Sequence, residues 1–237
     1  MIPSVPKFTF PEGWKRSKGR PISQEEFERM LDACRKNRGE TSESWERLLW
    51  GLWWSGLRIN EIMHLTWNSE GLLVMDFSGK RPMFSIQAQL SKNRKTERFP
   101  MASEFYDLVM QVPESERKGY VFDPKRKQES HIQFGRMSTK RVSLMIANFG
   151  LECRVKVADT RKGPRFAASH DLRRSYGFRW AKRVMPAILQ RMMRHSDIQT
   201  TMEYYITQGE QETADAVWES LGSAPQHALP ENSPVSS

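Results

Sequence analysis

Two stretches decide the fold of this chain: Ser169-His170-Asp171-Leu172-Arg173-Arg174 and Arg194-His195-Ser196-Asp197-Ile198-Gln199-Thr200-Thr201-Met202-Glu203-Tyr204-Tyr205. Together they hold arginine, histidine and tyrosine side chains. An arginine can make paired hydrogen bonds to phosphate oxygens, and a histidine can move a proton near neutral pH. A phenol can attack phosphorus and form a covalent intermediate. Each residue alone is typical of packing or of a solvated face, but together they predict a site that grips a phosphodiester.

The composition indicates a basic globular protein. The 237 residues carry a net charge of +9 and the pI is near 9.7, a balance that favours a polyanion such as nucleic acid as partner. The mean hydropathy is −0.67, and no apolar run approaches the ~18 residues of a bilayer span, so no membrane segment is expected. The first residues lack the features of a secretory signal. Cys34 and Cys153 match neither a disulfide framework nor a metal knuckle, which predicts a reduced, intracellular protein.

The ordered part of the chain is expected to span residues 21–221. Residues 1–20 combine prolines with a late cluster of cations, which predicts a basic N-terminal linker or a disordered start. Ser23 and Glu26 form a capping-box pair that begins the first helix. The small polar residues and prolines of 222–237 predict a flexible tail.

The pattern between these ends predicts a mixed α/β fold that is mostly helical, with a small antiparallel sheet. Short β-prone runs separated by turn residues predict strands at 72–77, 82–88 and 97–101. Residues 113–137 and the basic segment 158–169 are expected to be irregular. Further helices are expected at 44–55, 57–65, 103–111, 138–149, 170–184, from Pro186 onward, around Tyr204 and at 210–221.

Two earlier segments supply more charged side chains. Arg58 and Glu61 lie three positions apart after Gly56, so they share one face of a short helix. Lys92 lies near the tip of the predicted hairpin, and Lys95 is the alternative. Two arginines from different elements can clamp both non-bridging oxygens of a phosphate, and no carboxylate cluster of the two-metal kind is visible. The sequence therefore predicts phosphoryl transfer without a metal or other cofactor.

Four blocks in this order resemble the catalytic domain of the tyrosine recombinase (phage integrase) family, over residues 22–210. The combination is specific, whereas any one block is weak. The matching pieces are Ser55-Gly56-Leu57-Arg58-Ile59-Asn60-Glu61-Ile62, Ser91-Lys92 ahead of Phe99-Pro100-Met101, His170-Asp171-Leu172-Arg173-Arg174-Ser175, and His195-Ser196-Asp197-Ile198-Gln199-Thr200-Thr201-Met202-Glu203-Tyr204. The resemblance implies the fold of the DNA breaking-rejoining enzymes.

The resemblance also implies a role for each matching residue. The implied catalytic residues are Arg58, Lys92, His170, Arg173, His195 and Tyr204, with Glu61 as the carboxylate that supports the first arginine. The family's nine-residue step from the late histidine to the nucleophile selects Tyr204 over Tyr205. Lys92 is preferred to Lys95 because its distance before Pro100 fits the family's hairpin better.

The chain departs from the family pattern immediately before the late histidine. The family usually has glycine there, and this chain has Arg194, which adds a charge beside the site and is expected to contact DNA phosphate. Other expected DNA contacts are Arg94, Lys95 and Arg174. The cations that follow His170 on its helix are expected to form a solvated face touching the DNA backbone: Arg174, Arg179, Lys182 and Arg183.

By resemblance, the expected function is site-specific recombination of double-stranded DNA through a 3′-phosphotyrosine intermediate. A homotetramer on DNA is implied, with the helix at 210–221 docking on a neighbour, and a monomer is compatible with the free state. The expected location is the cytoplasm, on the nucleoid when DNA is bound.

Two alternatives stay open. A type IB topoisomerase resembles the same site and would relax supercoils as a monomer. The family's upstream core-binding domain is expected to be absent, because 57 residues precede Arg58. That shortness suits a fragment, a truncated gene or a minimal form, and it favours a remnant that binds DNA without recombining it.

Overall fold

The structure, a computed structural model, describes residues 19–91, 94–127 and 135–206 together with Trp218. The α-helices are α1 (Gln24–Arg38), α2 (Ser42–Ser55), α3 (Ile59–Ile62), α4 (Ser103–Met110), α5 (Thr139–Glu152), α6 (Ser169–Ala181), α7 (Pro186–Met193) and α8 (Ile198–Ile206). The strands are β1 (Leu65–Thr66), β2 (Leu73–Asp76), β3 (Met83–Ile86), β4 (Glu97–Pro100), β5 (Lys156–Thr160) and β6 (Gly163–Phe166). Except for Gly19, Arg20 and Trp218, the predicted linker, the helix at 210–221 and the tail lie outside these residues.

The first helix begins where the sequence predicts. The Ser23 hydroxyl accepts a hydrogen bond from the Glu26 backbone N–H at 3.1 Å, and the Glu26 carboxylate accepts one from the Ser23 N–H at 2.9 Å. This reciprocal pair satisfies two of the N–H groups that a helix start leaves free. Phe27, one residue further, stacks on Trp53 of α2 with ring centroids 4.3 Å apart. The capping box therefore also fixes α1 against α2.

The larger sheet has the strand order β1-β2-β3-β4. The three expected strands form its antiparallel part, in which Leu73 lies opposite Ile86 and Phe84 opposite Phe99. Strand β1 pairs parallel to β2 and was not predicted. The helix expected at 57–65 is correspondingly shorter and ends at Ile62. Two residues are too short a run to show a β pattern, so the pairing with β2 decides their conformation.

A second hairpin, β5–β6, occupies the segment that the sequence predicts to be an irregular loop, and that expectation is wrong. The two strands are antiparallel, with Asp159 opposite Pro164 and Thr160 opposite Gly163. Gly163 has φ +108, a left-handed value that favours glycine and closes the turn. The charged residues and the proline hid the pattern, since Val157 is the one fully buried side chain of β5. The hairpin leads directly into α6.

Within the part of the chain that the structure describes, buried side chains form two clusters. The larger cluster joins α1, α2 and α5 to the four-stranded sheet and contains aromatic residues such as Trp45, Phe84 and Phe149. The smaller cluster lies among α6, α7 and α8 and is formed by Ala102, Tyr176, Ala181, Leu189, Met192 and Met193. The α7 methionines are thus core residues, as expected. Within the described residues, no helix has the length and apolar character to cross a bilayer.

Candidate active site

Arg58 is presented by a sharp turn between α2 and α3. Gly56 ends α2 with φ +62, and a Cβ at this position would lie 2.3 Å from the Tyr176 ring, so only glycine fits. Arg58 is extended and caps α3, where its backbone N–H and its Nη1 each donate to Glu61 at 2.8 Å. The Arg58 side chain keeps 30% of its surface exposed, whereas Glu61 keeps 3%. The expected Arg58–Glu61 pair is therefore present, with only the arginine facing outward.

Arg173 joins this turn to the end of α7. Its buried guanidinium donates to the backbone carbonyls of Gly56 and Met193. Burial, and then the charges of Arg58 and Arg194, lower the pKa of Arg173 to about 9, so the group is still charged at pH 7. These two bonds use two of the five guanidinium N–H groups, which leaves donors for a further acceptor.

The start of α6 is organised by Asp171. Its carboxylate is fully buried, accepts from the Ala168 backbone N–H at 3.0 Å, and pairs in bidentate fashion with Arg165 at 3.0 and 3.1 Å. Arg174 pairs with the same carboxylate. Asp171 thus caps the helix, as expected, and fixes the turn that carries His170. Partial desolvation of the His170 ring, although the residue keeps an exposed side, and then the charge of Arg174, lower its pKa, so the ring is neutral at pH 7.

The expectation that the α6 cations form a solvated face is wrong for two of them. Arg174 is largely covered and bound to Asp171, and Arg179 lies over the Trp53 ring with its guanidinium carbon 3.6 Å from the centroid. A guanidinium can stack on an aromatic face, a contact that the spacing of charges does not reveal. Lys182 and Arg183 are exposed as expected.

The Tyr204 and His195 rings are stacked nearly parallel with an offset. They are 5.9 Å apart between centroids and inclined by 14°. The His195 Nδ1 lies 3.0 Å from the hydroxyl of buried Thr201, and the Asp197 carboxylate caps α8 by accepting from the Gln199 N–H at 2.9 Å. Burial raises the pKa of Tyr204 against the opposing charges of the nearby arginines. Burial, and then the arginines, lower the pKa of His195 to about 4, so this ring is also neutral at pH 7.

Arg194 points into the site. It follows α7 in the left-handed conformation, with φ +50, and its side chain is 6% exposed. The guanidinium pairs with Glu61 and lies 3.9 Å from the centroid of the Phe99 ring. The structure therefore places three arginines, Arg58, Arg173 and Arg194, around one carboxylate, close to a phenol and two neutral histidines. Such an arrangement can hold an anion and accept a proton.

The sequence comparison agrees with this geometry. The model of the Phage integrase family matches residues 20–211. The chain belongs to the phage integrase family. It is accordingly a tyrosine-type site-specific recombinase, as the sequence blocks predict.

Solved structures of phage integrase relatives share the fold. XerA recombinase is 15% identical, with a TM-score of 0.53 over 88% of this chain and 68% of that one. The Tn1549 transposon integrase in complex with transposon right end DNA is 16% identical, with a TM-score of 0.56 over 87% and 67%. XerH recombinase bound to palindromic difH substrate is 16% identical, with a TM-score of 0.54 over 86% and 54%. The expected fold class is confirmed. No curated protein sequence matches the chain.

The hairpin residues of this integrase chain are only partly described. Lys92 lies outside the described residues, so its role stays a prediction. Arg94 and Lys95 are exposed in the connection between β3 and β4, where they are available to a large ligand. Among the described residues, no group of three or more His, Cys, Asp or Glu side chains could hold a metal ion.

The sequence patterns did not predict the contacts of two residues in the integrase site. Thr201 positions the His195 ring, and Arg165 shares Asp171 with Arg174. No sequence signal marks Thr201, because a threonine in the first turn of a helix is ordinary. Asp171 was expected only as a cap, and its two arginine partners became visible only in three dimensions.

Proposed function

We propose that the chain cleaves and rejoins DNA strands through Tyr204. The phenol oxygen attacks the scissile phosphorus, a P–O bond forms to Tyr204, and the P–O bond to the 5′ oxygen breaks. The product is a 3′-phosphotyrosine and a free 5′-hydroxyl, and a 5′-hydroxyl from a second strand reverses the step. The observation that carries this proposal is the Tyr204 ring, stacked on neutral His195 beside the arginine cluster.

The remaining side chains stabilise the charge of the transition state or transfer protons. Arg58 and Arg173 stabilise the charge on the non-bridging oxygens, as fixed donors do for other oxyanions. Both histidines are neutral and can accept the phenolic proton, and we assign this role to His195 because its ring lies next to that of Tyr204, with the centroids 5.9 Å apart. We assign the protonation of the leaving 5′ oxygen to Lys92, on the family resemblance.

Double-stranded DNA is the proposed substrate. A net charge of +9 suits a duplex polyanion. The structurally similar Tn1549 integrase and XerH are in complex with DNA. We extend the proposal to a homotetramer on DNA, in which the helix at 210–221 docks on a neighbour, and to a cytoplasmic location with nucleoid association. A deletion of residues 208–237 that leaves assembly on DNA unchanged would remove the docking part.

A covalent trap tests the cleavage step. Nicked duplexes are tiled across the DNA that flanks the gene, so that cleavage near the nick releases a short strand and traps the adduct. We expect a covalent adduct on a denaturing gel, with the nucleotide on Tyr204 by mass spectrometry. Tyr204→Phe should abolish it.

The neighbouring tyrosine provides the matched control. Tyr205 donates its hydroxyl to the Val184 carbonyl at 2.5 Å and is a packing residue, so Tyr205→Phe should leave the adduct intact. An adduct that survives Tyr204→Phe and disappears in Tyr205→Phe would refute the nucleophile. DNA binding without any adduct would instead favour a remnant, and relaxation of plasmids that lack the flanking DNA would favour a topoisomerase.

A further inference from the structure

We propose that Arg194 is a positioning residue, which holds Glu61 so that Arg58 meets the scissile phosphate with its full charge. This role replaces the phosphate contact expected from the sequence. The inference rests on the proposed cleavage function. It assigns a role to Arg194, which is not one of the proposed catalytic residues.

The geometry separates the two arginines by what they can reach. Arg194 is 6% exposed, its guanidinium packs over Phe99, and it donates to Oε2 of Glu61. Arg58 is 30% exposed and donates from Nη1 to Oε1 of the same carboxylate. The Arg58 side chain therefore offers exposed surface to a phosphate, whereas the Arg194 guanidinium is engaged by Glu61 and the Phe99 ring. Buried Arg173 differs from Arg194 because it bonds only two carbonyls and keeps donors for a further acceptor.

The charges explain why a second cation helps. Glu61 is buried, and a buried carboxylate needs paired partners to stay ionised. With Arg58 as its one partner, the carboxylate would cancel much of the charge that Arg58 offers to a phosphate. Arg194 supplies a second positive charge to Glu61, so that the carboxylate still orients Arg58 without neutralising it. Both carboxylate oxygens are then fixed, since Oε2 accepts from Arg194 and from the Arg58 backbone N–H, and Oε1 accepts from the Arg58 Nη1.

The backbone conformation at Arg194 is one that favours glycine, so the arginine side chain is kept there at some cost in conformational energy. A non-glycine residue at φ +50 is uncommon, and glycine takes this conformation more readily. Arg154 has a similar φ of +52 but is exposed in the connection after α5. The two positions thus allow the same substitution to be made with and without loss of a contact to Glu61.

The pH dependence of cleavage reports on the protonation of Glu61. A purely structural role of Arg194 would not change that pH dependence. The charged and titratable groups facing this cluster are Arg58 at the N-cap of α3, Arg173 on α6, Arg194 after α7, Glu97 of β4, which faces Arg194, and the His195 ring, whose pKa the same arginines lower. Burial raises the pKa of Glu61, but the arginines, Arg194 foremost, bring it below its usual range. Without Arg194 the pKa of Glu61 should rise. Cleavage should then fail at a higher pH, as Glu61 takes up a proton and releases Arg58.

The experiment compares Arg194→Gly with Arg154→Gly in the full chain, on the nicked duplex that gives the adduct. Glycine accepts the backbone conformation at both positions. We expect Arg194→Gly to lower the single-turnover cleavage rate at saturating DNA by about 10- to 100-fold, with little change in DNA affinity. The acid limb of its rate–pH profile should move to higher pH, and it should do so also in a His195→Gln background, which removes the titration of the histidine that Arg194 also affects. Arg194→Lys should recover part of the rate, and Arg154→Gly should match the wild type.

The contrary outcomes are distinct. If Arg194→Gly mainly weakens DNA binding and lowers its salt dependence, Arg194 is a phosphate contact and the inference is overturned. Equal rates and pH profiles for Arg194→Gly and wild type overturn it as well, while leaving the cleavage function standing. A wild type without adduct on every duplex overturns the cleavage function and this role together. Should Arg194→Gly fail to fold, Arg194→Met decides, because it keeps an apolar stem against Phe99 without the charge: a wild-type rate and acid limb there would indicate structural packing only and overturn the inference.

Discussion

The two halves of the site are supported by very different interiors. Arg58 and Glu61 lie on the larger cluster, where α2 packs aromatic side chains against α1 and the sheet. Tyr204 and His195 lie on the smaller cluster among α6, α7 and α8, to which Tyr204 contributes only a half-buried ring. Elements with few buried apolar contacts open locally at lower free energy. Arg58 is thus presented by the larger cluster and Tyr204 by the smaller one, which we expect to open locally at a lower free energy.

This difference fits a reaction in which the nucleophile must approach and later leave the same phosphate. The arginines act by being fixed in place before the charge develops. The tyrosine becomes covalently attached to DNA and must be displaced again. Arg173 is the link, because its guanidinium bonds the turn before Arg58 and the residue before Arg194 at once.

The largest expected effect comes from cutting this link. Arg173→Lys keeps the charge but cannot span two carbonyls and a phosphate, since an ammonium lacks the planar fork of donors. We expect the cleavage rate on the nicked duplex to fall about 100- to 1000-fold. Arg191→Lys, the same change on the exposed side of α7, should cleave normally. A rate for Arg173→Lys within a few-fold of wild type would show that the two halves do not depend on this guanidinium.

Two glycine substitutions, one in each cluster, test whether the smaller cluster controls the cleavage rate and the larger one the stability. A Cβ on Gly177 would lie 2.7 Å from Cε1 of Tyr204, so Gly177→Ala should displace the nucleophile and slow cleavage about 10- to 100-fold. A Cβ on Gly51 would lie 2.5 Å from the Phe122 ring in the larger cluster. Gly51→Ala should instead lower the free energy of unfolding by about 1–3 kcal/mol through overpacking.

Urea unfolding and adduct formation, measured on both variants, decide between these outcomes. For Gly177→Ala we expect a large loss of cleavage rate with a modest loss in the free energy of unfolding. For Gly51→Ala we expect a large loss in the free energy of unfolding with a modest loss of cleavage rate. If both variants lose rate and stability in the same proportion, the two interiors form one cooperative unit and the distinction does not hold.

The smallest expected effect is a pH dependence that belongs to the half carrying Tyr204. The pKa of His195 is lowered to about 4, against an ordinary value near 6.5, because burial and the arginines disfavour the charged ring. The unfolded chain therefore binds more protons between these two values. Stability from this group is fully present above about pH 6.5 and is lost as the pH falls toward 4.

Two measurements follow from this pKa. The free energy of unfolding should decline more steeply from pH 6.5 to pH 4 in the wild type than in His195→Gln. As general base, His195 should also keep cleavage near its plateau down to about pH 5, below the ordinary titration range of histidine. A loss of cleavage centred near pH 6.5 would mean that the proton acceptor is a group with an ordinary histidine pKa, and that His195 is not the general base.

Much of the fold could be predicted because its signals are local. The capping box at Ser23, the proline at the start of α7 and the apolar spacing of the helices each act within a few residues. The hairpin β5–β6 was missed for the opposite reason, since its pattern is obscured by charge and it is stabilised by pairing. Strand β1 depends entirely on its contact with β2.

The sequence alone determined which chemical groups the protein has and in what order, and hence the family and the predicted roles of Arg58, Arg173, His195 and Tyr204. Only the tertiary structure decided what those groups face. Arg194 and Glu61 are 133 positions apart, and Arg173 and Gly56 are 117 apart, so no local pattern could indicate that they touch. The physical reason is that packing decides which groups lie within hydrogen-bond distance of each arginine. An arginine packed beside a buried carboxylate pairs with it, whereas an arginine with exposed surface can bind a phosphate.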